Sequence, residues 1–288
     1  MAVVNTNIGA SLAQASLMRN ERALNTAMEQ LSTGKKINSA GDNAAGLAIS
    51  TRMSSQIRGL DAAIRNANDA ISMVNTAEGA LDEITAMLQR MRELAVQAGT
   101  GTTDSSDRVY LHAEFAALRT EIDRIADNTE WNGRNILDGS AGGSTGASTV
   151  AFGIGQDGVA TQTLSTTFGN FNNTTGKLSG LASKVITGTT IASAISMASK
   201  SIVEIDVVIG DVSSQRATFG AISNRLTHAV DNLTNVKTNS EASRSRILDT
   251  DYASATSELA RTQIIQQAGT AMLAQANALP QTVLALLQ

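Results

Sequence analysis

The chain has no cysteine, which excludes disulfide frameworks and thiolate metal sites together. It has a single proline, Pro280, so long helices can run elsewhere without the strongest interior helix breaker. Aromatic residues are only 3% and charged residues only 17% of the chain, leaving Ala, Leu, Ile, Val and Met to build the core. That palette suits helix packed on helix better than a sandwich filled by large rings. No apolar run approaches the roughly 20 residues of a membrane-spanning helix. A basic surplus is also missing. The 22 Lys and Arg stand against 26 Asp and Glu, a formal charge of −4, which disfavours nucleic acid as a partner. The opening MAVVNTNIGASLAQ lacks both a basic start and a continuous apolar block, and does not read as a conventional signal peptide.

What the sequence does have is periodicity. Val3, Ala10, Leu17, Leu24 and Leu31 recur every seven residues, with Thr6, Ala13, Asn20 and Ala27 three residues after the first four. This is the seam of a helix packed on another helix, made leaky by Thr6 and Asn20. STGKKINSAGDNAAG, residues 32–46, predicts a helix-breaking spacer. From about Leu47 to Val96 a second stripe runs through Met53, Ile57, Leu60, Ile64, Ala67, Ile71, Val74, Leu81, Leu88, Met91 and Ala95, with one turn skipped at Glu78. GTGTTDSSD makes a turn, and Leu111, Phe115, Leu118, Ile122 and Ile125 mark a helix over about 105–128, ended by NTEWNGRNILDG. Trp131, the lone tryptophan, reads as a packing plug.

Residues 139–190 change character. GSAGGSTGAST is low-complexity, and VAFGIGQDGVATQT alternates with period two around Asp157-Gly158, the pattern of a β-hairpin. A small β element is expected here, without a large core. From about Ile191 the helical stripe resumes through Ile202, Ile205, Ile209, Val212, Phe219, Ile222, Leu226, Ala229, Leu233 and Val236. TNSEASRSRILDTDYASAT reads as a polar passage between two helical segments. The last arm starts near Ala253, with Ile265, Gly269, Met272, Ala276, Leu279, Val283 and Leu286 as its seam. The predicted fold is therefore mainly α: a long antiparallel helical bundle or coiled coil formed by both chain ends, with a small β-hairpin in the middle of the sequence. The expected seam contacts are Val3, Leu17, Leu24, Leu31, Ile265, Met272, Leu279, Val283 and Leu286. Ile264, Leu273, Leu284 and Leu287 fall off that seam, and apolar surface left over in this way marks an interaction site. Further copies of the same arm are the expected occupants.

Catalytic signatures are weak. Gly153, Gly155 and Gly158 match G-x-G-x-x-G, but the pattern sits on a hairpin turn instead of between a strand and a helix. Gly142, Ser144 and Gly146 match G-x-S-x-G within a low-complexity tract. His112 and His228 lie far apart on helical segments and make a poor metal site. No catalytic, cofactor-binding or metal-binding residue is assigned. In LQRMRELAVQAG, Leu88–Gly99, the apolar residues fit the inner stripe and Gln89, Arg90 and Glu93 face outward, with Arg90 and Glu93 spaced for an i,i+3 pair.

Four stretches carry a family resemblance: LSTGKKINSAGDNAAGLAIS, QRMRELAVQA, EIDRIADNTEWNG and the ending QQAGTAMLAQANALPQTVLALLQ. They closely resemble bacterial flagellin over roughly residues 1–140 and 195–288, with the middle unlike, as in the family's variable region. The resemblance implies a structural subunit that polymerises into the flagellar filament, and no enzyme. It implies inner-core coiled-coil arms with spacers at 1–46 and 246–288, a helical outer-core domain at 47–140 and 191–245, and a small variable region at 141–190. It further implies export of the unfolded chain by the flagellar type III apparatus to an extracellular filament, with an export chaperone, a cap and junction proteins as partners beside other copies of the chain. By the same resemblance Gln89, Arg90, Leu94 and Glu114 match a surface contacted by Toll-like receptor 5. A hook–filament junction protein, which shares the end architecture, is the alternative.

Overall fold

The computed structural model describes residues 7–143, 148–155, 162–172, 176–188 and 190–285, with side chains as far as Ala278. Its helices are α1 (Ile8–Thr33), α2 (Ala40–Ala98), α3 (Ser105–Asn128), α4 (Ile191–Leu248) and α5 (Tyr252–Ala285). Two antiparallel hairpins, β1 (Glu130–Trp131) with β2 (Arg134–Asn135) and β3 (Thr149–Gly153) with β4 (Thr163–Thr167), lie between α3 and α4. The chain divides into two units, one of Met1–Ile57 with Thr238–Gln288 and one of Arg58–Lys237. The first thus takes in residues 47–57 and 238–245 together with the arms.

In the 58–237 unit the core follows a heptad. The buried residues of α2 step by three and four through Leu60, Ala63, Ala67, Ala70, Val74, Ala77, Leu81, Ile84, Leu88, Met91, Ala95 and Ala98. Those of α4 do the same through Ala194, Ala198, Ser201, Ile205, Val208, Val212, Gln215, Phe219, Ile222 and Leu226. Spacing of this kind keeps one face of a long helix on its partner. Ala77 fills the turn that the apolar stripe skips at Glu78. Ile64 and Ile71, expected on the seam, are half-buried beside it, and alanines at 63, 70 and 77 take the buried positions. On α4, Val236 is exposed. Ion pairs bracket the α2–α4 contact: Asp61 with Lys237 at 2.7 Å, Asp82 with Arg216 at 2.9 Å and Asp206 with Arg92 at 2.7 Å.

The turn after α2 is organised by charge. Asp104 caps α3 by accepting from the Ser106 backbone N–H. Bonds from the Ser106 hydroxyl, with help from the Ser105 and Ser106 backbone, hold its carboxyl below the ordinary aspartate range. Arg108, only 1% exposed, donates from Nε to the Ala98 carbonyl at 3.0 Å and from Nη2 to the Thr100 carbonyl at 2.8 Å. It thereby satisfies carbonyls that the end of α2 leaves without helical partners.

After α3, Asn132 and Gly133 take positive φ of 50° and 73° and close the β1–β2 hairpin. Asn-Gly is the usual sequence for such a two-residue turn, and the sequence reading treated the tract only as a helix end. The β3–β4 pair runs from Thr149 opposite Thr167 to Gly153 opposite Thr163. The expected Asp157-Gly158 turn lies outside the described residues. The small β element has no separate core: Phe168, Phe171, Leu178, Leu181 and Ile186 are all fully buried in the cluster that α2 and α4 build. Phe168 packs on Phe219 of α4 with ring centroids 5.1 Å apart, and Gln215 donates to the Thr167 carbonyl at 2.8 Å.

In the other unit the spacers are more regular than their composition predicts. Gly34, with φ 68°, ends α1 in the left-handed conformation that favours glycine. Lys36 N–H then donates to the Leu248 carbonyl at 2.7 Å and Thr250 N–H to the Gly34 carbonyl at 3.0 Å. Helix resumes at Ala40, earlier than Leu47, and bends at Asn43, whose backbone is extended. Asp42 accepts from the backbone of Asn38 and Ser39, which lowers its pKa. The passage 238–248, read as polar and irregular, is helical to Leu248, so the break before α5 is confined to 249–251. Polar Ser, Glu and Arg residues continue a helix readily where one face stays wet.

Candidate assembly site

Helices α1 and α5 pack antiparallel along their lengths. On α1 the residues turned inward are Ala10, Ala13, Leu17, Asn20, Leu24, Ala27 and Leu31, with Asn20 and Ala27 buried and the others half-buried. On α5 the inward set is Ala255, Leu259, Thr262, Gln266, Gly269, Leu273 and Ala276. Leu17 lies over Gly269 so closely that an added Cβ there would stand 2.6 Å from Leu17 Cδ2. The three inward leucines of α1, Leu17, Leu24 and Leu31, are thus knobs, and small residues of α5 are the holes that receive them.

Polar groups on the seam are satisfied. Asn20 Nδ2 donates to the Thr262 carbonyl at 2.7 Å, and Asn7 Nδ2 donates to the Ala276 carbonyl at 2.8 Å. The Thr262 hydroxyl, on a residue only 2% exposed, bonds the carbonyls of Glu258 and Leu259 in its own helix. Threonine is tolerated at this buried position because its hydroxyl never leaves its own turn.

The expected seam of α5 is corrected in register. Ile265 is 42% and Met272 65% exposed, so neither faces α1, whereas Leu273, placed off the seam, belongs to it. Bulky residues opposite Leu17 and Leu24 would hold the helices apart; Gly269 and Thr262 let them close. Val3 and Leu286 lie outside the described residues. Leu279 and Val283 fall within α5, beyond the described side chains.

Other large apolar side chains of the arms point outward. Ile8, Leu12, Met18 and Met28 of α1 are 54–67% exposed, and Ile264, Ile265 and Met272 of α5 are 42–66% exposed. The seam mixes five leucines with small residues, while the outer faces keep seven further large apolar side chains wet.

A second surface lies on α2 and α3. Gln89 is exposed, and Arg90 joins Glu114 at 2.9 Å and Glu93 at 3.1 Å. Hydrogen bonds donated to Glu114 and then to Glu93 raise the Arg90 pKa. Leu94, expected with them, is 1% exposed and sits inside the core, because it follows Met91 by three residues on the buried stripe. His112 stacks on Phe115, and burial, with a smaller effect of Arg119, pushes its pKa down. Gly153 closes β3, while Gly158, Ser144 and Gly146 lie outside the described residues.

Comparison with known proteins bears on these arms directly. The family model of the bacterial flagellin N-terminal helical region matches residues 4–142, and that of the C-terminal helical region matches residues 202–287. Flagellin of Halalkalibacterium halodurans is 43% identical over 286 residues, covering 99% of this chain and 100% of that protein. Flagellin of Bacillus subtilis is 42% identical over 305 residues, covering 99% of each. Among solved structures, a putative flagellar hook-associated protein from Vibrio parahaemolyticus aligns with TM-score 0.59 at 14% identity, covering 72% of this chain and 100% of that one, a likeness of fold alone.

Proposed function

The chain belongs to the bacterial flagellin family and is a structural subunit of the flagellar filament; on that premise we propose that its two terminal arms complete their packing only against neighbouring copies. The observation that carries the proposal is the outward set Ile8, Leu12, Met18, Met28, Ile264, Ile265 and Met272. Burying a large aliphatic side chain contributes about 1.5–3 kcal/mol, so covering these seven adds stabilisation that the seam alone does not supply. Most helical stability in proteins comes from packing of an apolar face and not from intrinsic propensity. In the free subunit the arms open readily, and assembly supplies the surface they lack. A contact between unlike faces that does not close on itself builds a helical filament.

The arms at 1–46 and 246–288 form the inner core of the filament, residues 47–140 and 191–245 the outer core, and 141–190 the variable region. Arms that stay open before assembly suit export through the flagellar type III apparatus, with a chaperone on the C-terminal arm and a cap and junction proteins at the growing structure. The filament is extracellular, so the chain is secreted. No catalytic role is proposed. The junction-protein alternative finds support only in fold, whereas flagellins match at 42–43% identity over nearly the whole chain.

Toll-like receptor 5 is a further partner. Gln89, Arg90 and Glu114 form the contact, and Leu94 acts beneath it as core. Arg90→Ala with Glu114→Ala is expected to weaken receptor signalling by free subunits; an unchanged response refutes the assignment. Polymerisation is tested by dissociating filaments with heat, cooling, adding seeds and sedimenting. The full chain is expected to pellet as filaments and a chain ending at Thr250 to stay in the supernatant. Pelleted filaments of the truncated chain would overturn the proposal.

A further inference from the structure

We propose that Met18, Met28 and Met272 are oxidation sites, whose conversion to sulfoxide leaves the subunit folded and weakens its assembly. The chain has nine methionines and no cysteine to intercept an oxidant first. Burial divides the methionines. Met73 and Met91 are 5% and 0% exposed in the core of the 58–237 unit, whereas Met18, Met28 and Met272 are 54%, 54% and 65% exposed on the arms. These three stand among the outward residues Ile8, Leu12, Ile264 and Ile265, on the faces that the proposed function assigns to neighbouring copies. The inference rests on that reading.

The chemistry needs only a peroxide. A lone pair on the methionine sulfur attacks one oxygen of hydrogen peroxide, and the S–O bond forms as the O–O bond breaks. The departing hydroxide takes up the proton left on the transferred oxygen and becomes water. Sulfur is oxidised by two electrons, the peroxide is reduced, and nothing else is consumed. An Ile or Leu at the same place has no lone pair to offer. The product replaces a soft apolar side chain with a polar one whose oxygen accepts hydrogen bonds. In the free subunit water supplies the donors. All three methionines lie off the seam where Leu17 closes over Gly269, so the arms still pair after oxidation. Between copies the new oxygen would be buried among apolar groups, and a buried polar group without a partner is costly. The same neighbours that make the sulfoxide costly also exclude the oxidant, so a filament shields the sites that a free subunit exposes.

The full chain, as free subunits and as seeded filaments, is treated with dilute hydrogen peroxide, quenched with catalase and digested. Mass spectrometry then follows the gain of one oxygen atom at each methionine. In free subunits Met18, Met28 and Met272 are expected to oxidise about tenfold faster than Met73 and Met91, and in filaments to slow by about tenfold. Oxidised subunits should keep the circular dichroism of untreated ones and raise the concentration of free subunit at equilibrium with filaments by about tenfold. Two further measurements assign the effect to these sulfurs. Reduction of the oxidised chain by the pair of methionine sulfoxide reductases, one for each epimer, should return that concentration to its starting value. In the triple variant Met18→Leu, Met28→Leu, Met272→Leu, peroxide should leave the concentration at the variant's own untreated value, although Met197 stays 39% exposed and open to attack. Oxidised parent subunits that assemble as well as untreated ones, or a triple variant that peroxide impairs as much as the parent, would overturn the inference and leave the assembly reading standing. Sites that oxidise as fast in filaments as in free subunits would refute the covering of these faces by neighbours, and the inference with it.

Discussion

Gly269 gives the sharpest handle on how closely the arms must approach. A Cβ at this position would stand 2.6 Å from Leu17 Cδ2 and 3.1 Å from its Cγ, both inside normal contact. With Gly269→Ala two effects nearly cancel. Alanine gains about 1 kcal/mol of helix propensity over glycine, and overpacking costs about 1–3 kcal/mol, reduced if Leu17 swings aside. Gly269→Val has no such balance. Valine recovers roughly half a kcal/mol of propensity and carries two methyl groups into the same gap, for a net cost of about 2 kcal/mol. If arm pairing is completed on assembly, that cost appears in the concentration of free subunit at equilibrium with filaments. About 2 kcal/mol is about a thirtyfold rise. The assay is sedimentation at a series of total concentrations, reading the plateau in the supernatant. Leu17→Ala in the Gly269→Val background removes the atoms that clash and should return most of the loss, a coupling that independent sites would not show. A Gly269→Val plateau equal to the parent's, or no recovery on adding Leu17→Ala, would refute the close approach of these helices.

Arg108→Met strips both bonds from the carbonyls of Ala98 and Thr100 in a buried turn; a loss of roughly 3 kcal/mol should appear as a lower Tm, and an unchanged Tm would contradict the capping role. Gly210 has no atom within 4 Å of a would-be Cβ, so Gly210→Ala should stabilise by about 0.5–1 kcal/mol, read as a raised denaturant midpoint. Asp206, held below the ordinary aspartate range by its hydrogen bond from Arg92, stabilises the fold fully above the unfolded-state pKa near 4. Because its folded pKa is depressed, that contribution is lost as pH falls through the lower, folded value. Asp206→Asn should therefore narrow the stability gap between neutral and acid solution; an unaltered pH profile would count against the pair.

The long helices were legible because heptad spacing survives in the letters: Ile205, Val212, Phe219, Ile222 and Leu226 announce the buried face of α4. The seam of α2 was read less well, since Ala63, Ala70 and Ala77 carry no mark of burial and Ile64 and Ile71 drew the eye instead. The same bias shifted α5. Ile265 and Met272 are its conspicuous apolar residues, yet the seam takes Thr262, Gly269 and Ala276 together with Leu259 and Leu273. Asn132-Gly133 is a hairpin signal in the letters, hidden within a tract that otherwise reads as a helix end. Leu94 follows Met91 by three residues on the buried stripe, and that spacing, unlike the family resemblance, places it inside. The spacers read as breaks because composition cannot register the backbone bonds that join residues 34–36 to residues 248–250, which depend on a partner more than two hundred positions away.

Amide hydrogen exchange, followed by mass spectrometry on the same chain as dilute subunit and as filament, tests most directly whether the arms are finished by their neighbours. Residues 8–33 and 252–285 should exchange quickly in the free subunit while 60–98 and 194–226 stay protected, and should become protected after assembly. Arms protected to the same degree as the 60–98 helix in dilute solution would contradict the account.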